Sequence, residues 1–259
     1  MSWLDHGFAV FAQEDAMAQW VDAAMQPALA AIRDPVKRDA WLRHGGTWFA
    51  GVDLLDNDEA GRVGDGPPVA GRALAAAQAV CGPLALHRAQ LSVTYPGYPA
   101  RDVGDSDAAH RYRLTRDAAH LDGLLPEGPD KRRHLREPHG YILGVALTGA
   151  GAGAAPLVVY EGSHHVMRAA FSACFSGHAP ADWGDLDVTF AYQAARRLCF
   201  AQCARVEIVL EAGQSVLVHR MALHGIAPWA AGAQAGPDGR IMAYLRPVLP
   251  DIADWLSLP

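Results

Sequence analysis

Cysteine is scarce in this chain of 259 residues: Cys81, Cys174, Cys199 and Cys203 are the only four, and no two stand in CxxC spacing. That argues for reduced thiols rather than a disulfide framework. Charge is sparse too, at 19% of residues, with a formal net charge of −6 and no arginine-rich run long enough to coat a phosphate backbone, so a nucleic-acid partner is not expected. Every apolar stretch is broken by Gly, Pro or a charge well before the ~20 residues a membrane-spanning helix needs. The first six residues lack the basic region and apolar core of a signal peptide, which leads us to expect a soluble, cytoplasmic protein with no membrane partner. Internal repeats and low-complexity linkers are missing as well. Nothing in the sequence sets an oligomeric state.

What is present is apolar: 51% of residues, enough to support a packed core. Over 13–33 the residues Met17, Trp20, Val21, Ala24, Met25 and Leu29 recur at intervals of three and four, which predicts an amphipathic helix ended by Asp34-Pro35. The stretch 44–69 is dense in Gly, Asp and Pro and reads as structured loop with one short strand near 48–54; alanine-rich 72–80 reads as a second helix. Beyond residue 85 the apolar runs shorten to strand length. Strands are predicted over 89–95, 141–147, 157–160, 206–210, 215–219 and 241–248, with a helical insert over 166–200. The pattern predicts a mainly β, jelly-roll architecture in one domain, 1–259, with 1–85 as a helical and loop buttress and 86–250 as the core.

Twelve histidines make any single one uninformative, so spacing must select among them. His120-Leu121-Asp122 puts two metal-competent side chains at i and i+2, on one face if the backbone is extended. A third ligand is supplied best by the segment 212–225, where a strand opening at Gly213 runs into His224-Gly225. Two histidines and one carboxylate on one face of an octahedron leave three positions open, the arrangement of non-heme Fe(II) oxygenases. Arg240, at the head of the last strand, offers a planar fork for a carboxylate, and Arg246 shares its parity. Either could serve, and position favours Arg240.

Together these residues resemble the phytanoyl-CoA dioxygenase-like branch of the Fe(II)/2-oxoglutarate-dependent oxygenases. The resemblance spans about 88–248 and rests on His120-x-Asp122, on Glu161-Gly162-Ser163-His164 in place of a Pro-Gly-Ser-His turn, on the block from Gly213 to His224-Gly225, and on Arg240. It implies a double-stranded β-helix (cupin-like) fold, Fe(II) on His120, Asp122 and His224, and 2-oxoglutarate held through its distal carboxylate by Arg240, with O2 as the other co-substrate. It also implies hydroxylation of a C–H bond in a small organic molecule, with release of succinate and CO2. Related halogenases carry a small residue at the carboxylate position, so Asp122 argues for hydroxylation. The sequence departs from the family in Gly225-Ile226-Ala227-Pro228-Trp229, which lacks the usual Asn, in a longer loop before Arg240, and in Glu161.

Other motifs read more plainly. His219 is expected to pack beside the site and is the most credible substitute ligand. His164 and His165 belong to a turn rather than a second metal site, Cys199 and Cys203 to packing, and 131–136 to a solvated basic face that could also attract an anionic substrate. Tyr95 and Arg113 are candidate contacts by proximity alone, and the loops 44–69 and 99–115 and the insert 166–200 are expected to shape specificity. Two other functions fit the same pattern: a cupin-like lyase or isomerase that uses no keto acid, and a jelly-roll binding protein without turnover.

Overall fold

A computed structural model describes residues 3–259. The chain opens with a short helix, α1 (Trp3–His6), and a strand, β1 (Phe8–Phe11), before the predicted long helix, α2 (Asp15–Arg33). Asp34 ends α2 and at once caps α3 (Pro35–Trp41), its carboxylate accepting the N–H groups of Val36 and Lys37. Next come β2 (Leu42–Arg43), β3 (Trp48–Gly51), α4 (Arg72–Cys81), β4 (Gln90–Thr94), α5 (Asp107–Arg116), β5 (Leu124–Glu127) and β6 (Arg132–Leu135). The second half holds β7 (Tyr141–Ala146), β8 (Leu157–Tyr160), α6 (Ser163–Phe175), α7 (Thr189–Gln202), β9 (Arg205–Ile208), β10 (Ser215–His219), β11 (His224–Ile226), β12 (Arg240–Leu245) and α8 (Asp254–Ser257). The predicted strands are β4, β7, β8, β9, β10 and β12, each matched within three residues at its ends.

These strands form an antiparallel seven-stranded sheet in the order β1-β10-β7-β12-β4-β3-β2, a three-stranded sheet β11-β8-β9, and the hairpin β5-β6. Three of the seven strands, β1, β2 and β3, come from the first 85 residues, which therefore supply part of the main sheet as well as the helices that lean on it. Alternation along each strand sorts side chains into layers. Leu91, Val93, Leu143, Val145, Ile241 and Ala243 point outward and pack against Met17, Trp20, Ala24 and Ile32 of α2 and Leu74 and Ala77 of α4. Their neighbours Ile142, Val216, Val218 and Met242 point inward and meet Leu157, Val159 and Ile208 of the smaller sheet. The far side of that sheet, Val158 and Tyr160, is covered by Met167 and Phe171 of α6 and Tyr192 and Cys199 of α7. The predicted insert is thus a further layer, on the far side of the smaller sheet.

Trp20 is fully buried and its indole N–H donates to the Gly61 carbonyl at 2.6 Å, fastening α2 to the turn-rich segment beneath it. A Trp20→Ala change would remove one of the largest side chains of this layer, at a cost of about 3–5 kcal/mol. Within the described residues, no helix is long and apolar enough to cross a membrane.

Candidate metal centre

The segment 117–122 does not form the strand that would put His120 and Asp122 on one face. Asp117 and Ala118 both take left-handed backbone conformations, at φ 56° and 50°, and His120 makes a single antiparallel bridge to His224. The two bridge hydrogen bonds, 2.8 and 3.1 Å, pair the backbones of the two histidines directly and bring their rings to 4.8 Å. Asp122 then turns back toward them. Its Oδ1 lies 3.2 Å from His120 Nε2 and 3.7 Å from His224 Nε2, and the three potential donor atoms lie within 4.8 Å of one another. Donors about 2.1 Å from one ion at right angles would be about 3 Å apart, so small adjustments bring this trio onto one face of an octahedron.

Each ring is oriented from behind. His120 Nδ1 meets the Ala118 carbonyl at 3.1 Å and His224 Nδ1 the Ala222 carbonyl at 2.9 Å, which leaves Nε2 of each ring turned toward Asp122. Burial would raise the Asp122 carboxyl, but the His120 hydrogen bond and the His224 and Arg246 charges hold it well below the usual carboxylate range. His224 sits below its ordinary value because desolvation outweighs the pull of Asp122. Desolvation works against protonation of His120, but the Asp122 hydrogen bond and charge raise it above its ordinary value, so a divalent cation entering the trio would displace a proton from His120 while meeting an ionised Asp122 and a His224 that favours its neutral form.

The turn carrying His120 is held by buried polar contacts that spacing arguments missed. Asp117 accepts from the Tyr160 hydroxyl at 2.9 Å and from Arg205 Nε and Nη2 at 2.8 and 2.7 Å, and the Tyr112 hydroxyl donates to the Ala119 carbonyl at 2.5 Å. The Asp117 carbonyl accepts the Ile226 N–H at 2.8 Å, which lays this turn across β11. A Cβ on Gly225 would stand 2.1 Å from that carbonyl oxygen, so the glycine after His224 exists to let the two backbones touch. Ser163, in the turn predicted around 161–164, accepts the Leu223 N–H through its hydroxyl at 2.8 Å and fixes the approach to His224.

A cavity of about 370 Å³ opens beside the trio. Its inner end is framed by Ile142, Leu157, Val218 and Tyr244, its outer wall by Trp41, His44, Trp48, Val52 and Ile226. Gly144 permits this, since a Cβ there would be 2.8 Å from the Tyr244 ring. Arg246 lines the cavity and donates to Asp122 Oδ2 at 3.2 Å. Arg240 lies deeper, on the same inward face of β12, 4% exposed, and neither of its Nη atoms has a hydrogen-bond partner among the described residues. Directly opposite in register stands Thr94, also buried, whose hydroxyl is likewise unpartnered there. Orphaned buried donors of this kind are costly unless something fills the space. Thr94, with Ser92 and Gln90, makes β4 polar on its inner face, an alternation that the sequence displays and that could have singled out this strand.

The remaining sequence candidates lie elsewhere. His219 is turned away, its Nδ1 accepting the Met221 N–H at 3.0 Å and its ring 4.8 Å from His164, so it is no substitute ligand. His164 contacts the Leu4 carbonyl at 2.9 Å, His6 engages Glu161, and the four cysteines are free. Tyr95 packs under Arg38, and Arg113 pairs with Asp105; neither borders the cavity. Arg132 and Arg136 are engaged by Asp187 and by Glu127 and Asp185, so the basic face does not steer ligands into the cavity. A second group of possible cation donors, His44, Asp102 and Asp105, is already spent on structure: Asp102 accepts the His44 and Gly45 N–H groups, and Asp105 holds Arg113.

No protein-family model and no curated protein matches the sequence. The fold, however, has counterparts among solved structures. The chain is similar to SnoK, a non-heme α-ketoglutarate-dependent carbocyclase of nogalamycin biosynthesis, at a TM-score of 0.51 and 13% identity over 97% of this chain and 85% of that one. It is similar to AviO1 of Streptomyces viridochromogenes Tue57 at a TM-score of 0.50 and 15% identity, over 96% of this chain and 93% of that one.

Proposed function

We propose that this chain is a mononuclear Fe(II), 2-oxoglutarate-dependent oxygenase of double-stranded β-helix fold, cytoplasmic, that hydroxylates a C–H bond of a small organic molecule. One observation carries the reading: a His-Asp-His trio lines a cavity, and on the same inward face of the paired strands β12 and β4 the buried Arg240 Nη atoms and Thr94 hydroxyl have no hydrogen-bond partner among the described residues. The α-ketoglutarate dependence in the name of SnoK is the property we extend to this chain.

In this reading His120, Asp122 and His224 hold iron, and Arg240 pairs with the distal carboxylate of 2-oxoglutarate while the Thr94 hydroxyl donates to the same group. When bound, iron and 2-oxoglutarate supply the oxidation: 2-oxoglutarate, O2 and R–H give succinate, CO2 and R–OH, one oxygen atom going to each organic product. The chain's own part is placement. The Ala118 and Ala222 carbonyls fix the imidazole tautomers, Ile142, Leu157 and Val218 keep water from the inner end, and the Arg240 fork orients the co-substrate so that its keto acid end faces the trio.

The test is an anaerobic titration of metal-free protein with Fe(II) and then 2-oxoglutarate, followed by the visible charge-transfer band of a chelated keto acid. We expect a saturable band, lost in His224→Ala and requiring about 10- to 100-fold more 2-oxoglutarate in Arg240→Ala, the loss of a charge-assisted pair of about 1.5–3 kcal/mol. Bound metal with no band would sink the reading and favour a metalloenzyme that uses no keto acid.

A further inference from the structure

We infer that the substrate of this site is a small organic acid with an apolar, ring-bearing body, its carboxylate received by Arg246. The inference rests on the proposed iron and 2-oxoglutarate chemistry and deepens it.

Charge on the cavity wall leads to it. Among the described residues lining the cavity, Asp122 is the one carboxylate, against two arginines, Arg43 and Arg246. Fill the site as proposed and iron(II) is balanced by the dianionic co-substrate, while Asp122 balances one arginine. Against that one carboxylate stand Arg43, Arg240 and Arg246; Arg43 is turned to the Leu42 and Ala40 carbonyls, and of the other two Arg246 is the one that borders the cavity. It makes a single hydrogen bond among the described residues, from Nη1 to Asp122, which leaves the other edge of its guanidinium fork unused. Glu137 feels the Arg246 charge, but its hydrogen bond goes to the His139 ring at 3.2 Å, so the free edge of the Arg246 fork has no carboxylate hydrogen-bonded to it among the described residues. A planar anion on the free edge of the fork satisfies both the charge and the donors.

The body of the substrate follows from the rest of the wall. Trp41, Trp48, Val52 and Ile226 offer apolar and aromatic surface. The Trp48 ring is fixed edge-on by its N–H to Ser92 at 3.0 Å and backed by the His44 ring stacked at 5.4 Å, so it presents a rigid face. Burial and the neighbouring Arg113 hold His44 below its ordinary value, and it adds no cation at neutral pH. At about 370 Å³ the cavity sits near the lower end of the ~300–1,000 Å³ typical of small-molecule sites, and 2-oxoglutarate takes part of it, so the substrate is small.

The experiment compares matched acids and amides: 3-phenylpropanoate with 3-phenylpropanamide, 2-naphthoate with 2-naphthamide, and hexanoate with hexanamide. Each is titrated calorimetrically into the anaerobic Fe(II)/2-oxoglutarate protein and, in parallel, into metal-free protein. The expected result is at least tenfold tighter binding of each ring-bearing acid than of its amide, and of those acids than of hexanoate. In Arg246→Gln the acid preference should vanish while the keto acid band still forms, at a higher Fe(II) concentration because Asp122 loses a neighbouring charge; Arg246→Lys, which keeps the charge beside Asp122, should retain a reduced preference. Equal binding of acids and amides, or no binding by any member below 1 mM, overturns the inference. So does loss of the band, rather than of the acid preference, in Arg246→Gln, which would give Arg246 to the co-substrate. A parent protein with no band that still prefers acids would overturn the oxygenase reading and leave the acid site standing.

Discussion

Replacing Asp117 tests whether the trio is held by the network behind it. Asp117 is 2% exposed and takes three hydrogen bonds, from Tyr160 and twice from Arg205, while its own backbone is left-handed. In Asp117→Ala the Tyr160 hydroxyl loses its acceptor in a buried place, at about 1–3 kcal/mol. Arg205 is 39% exposed and can rehydrate, so its loss adds only about 1 kcal/mol. The left-handed conformation costs alanine a further ~1 kcal/mol that aspartate and asparagine largely escape. The expected destabilisation is thus about 3–5 kcal/mol for Asp117→Ala, or ~10 °C in Tm for a chain of this size, against about 1–2 kcal/mol for Asp117→Asn, which keeps the turn and one acceptor. Thermal unfolding of both variants, with Fe(II) affinity measured beside it, checks this. Affinity should fall more than tenfold in the alanine variant, because the turn that delivers His120 loosens. Two variants equal in Tm, or an alanine variant with parental iron affinity, would refute the claim that this network positions the site.

Gly225→Ala should leave far-ultraviolet circular dichroism near that of the parent yet weaken Fe(II) binding at least tenfold, since the added methyl meets the Asp117 carbonyl and forces the His120 and His224 backbones apart; parental affinity would show that the close approach is dispensable. Stability should also fall between pH 7.5 and pH 5. Burial, helped by the charges of Arg168 and Arg220, pushes His164 down to about 4 from 6.5, so the unfolded chain binds a proton there that the folded chain refuses. The contribution is complete above the unfolded value and is lost as pH falls toward the folded one, about 2 kcal/mol by pH 5, with His219 pulling the same way. Urea unfolding at the two pH values measures it, and a flat profile would contradict the burial of these imidazoles.

The strands were legible because each is a short apolar run or an apolar alternation, as in β7 and in β4, and the donor trio because its residue types are few and their order fixed. What stayed hidden had weaker local signals. The α5 segment shows no apolar face, burying only Arg113, and is set by the Ser106 hydroxyl on the Ala109 N–H. The α3 helix lies behind an Asp-Pro pair that reads as a stop but also serves as a cap. Strand β1 is four residues long and acquires its meaning only by pairing with β10, some two hundred residues on. The roles of Thr94 and Asp117 stayed hidden for another reason: they depend on what stands opposite, Arg240 across a ladder and Arg205 at the head of β9. Arg240 and Arg246 shared one parity in the sequence, and depth along the inward face separates them.

The two-residue period of β4 and β12 divides labour within single strands. Leu91, Val93, Ile241 and Ala243 answer to the helices, while Gln90, Ser92 and Tyr244 answer to whatever enters the cavity. A change at position 90 or 92 alters the shape and polarity seen by a ligand while the helix-facing side of the same strand keeps every contact it had. Chemical selectivity and structural integrity can therefore drift independently, one residue apart, in a chain that retains the same His-Asp-His trio.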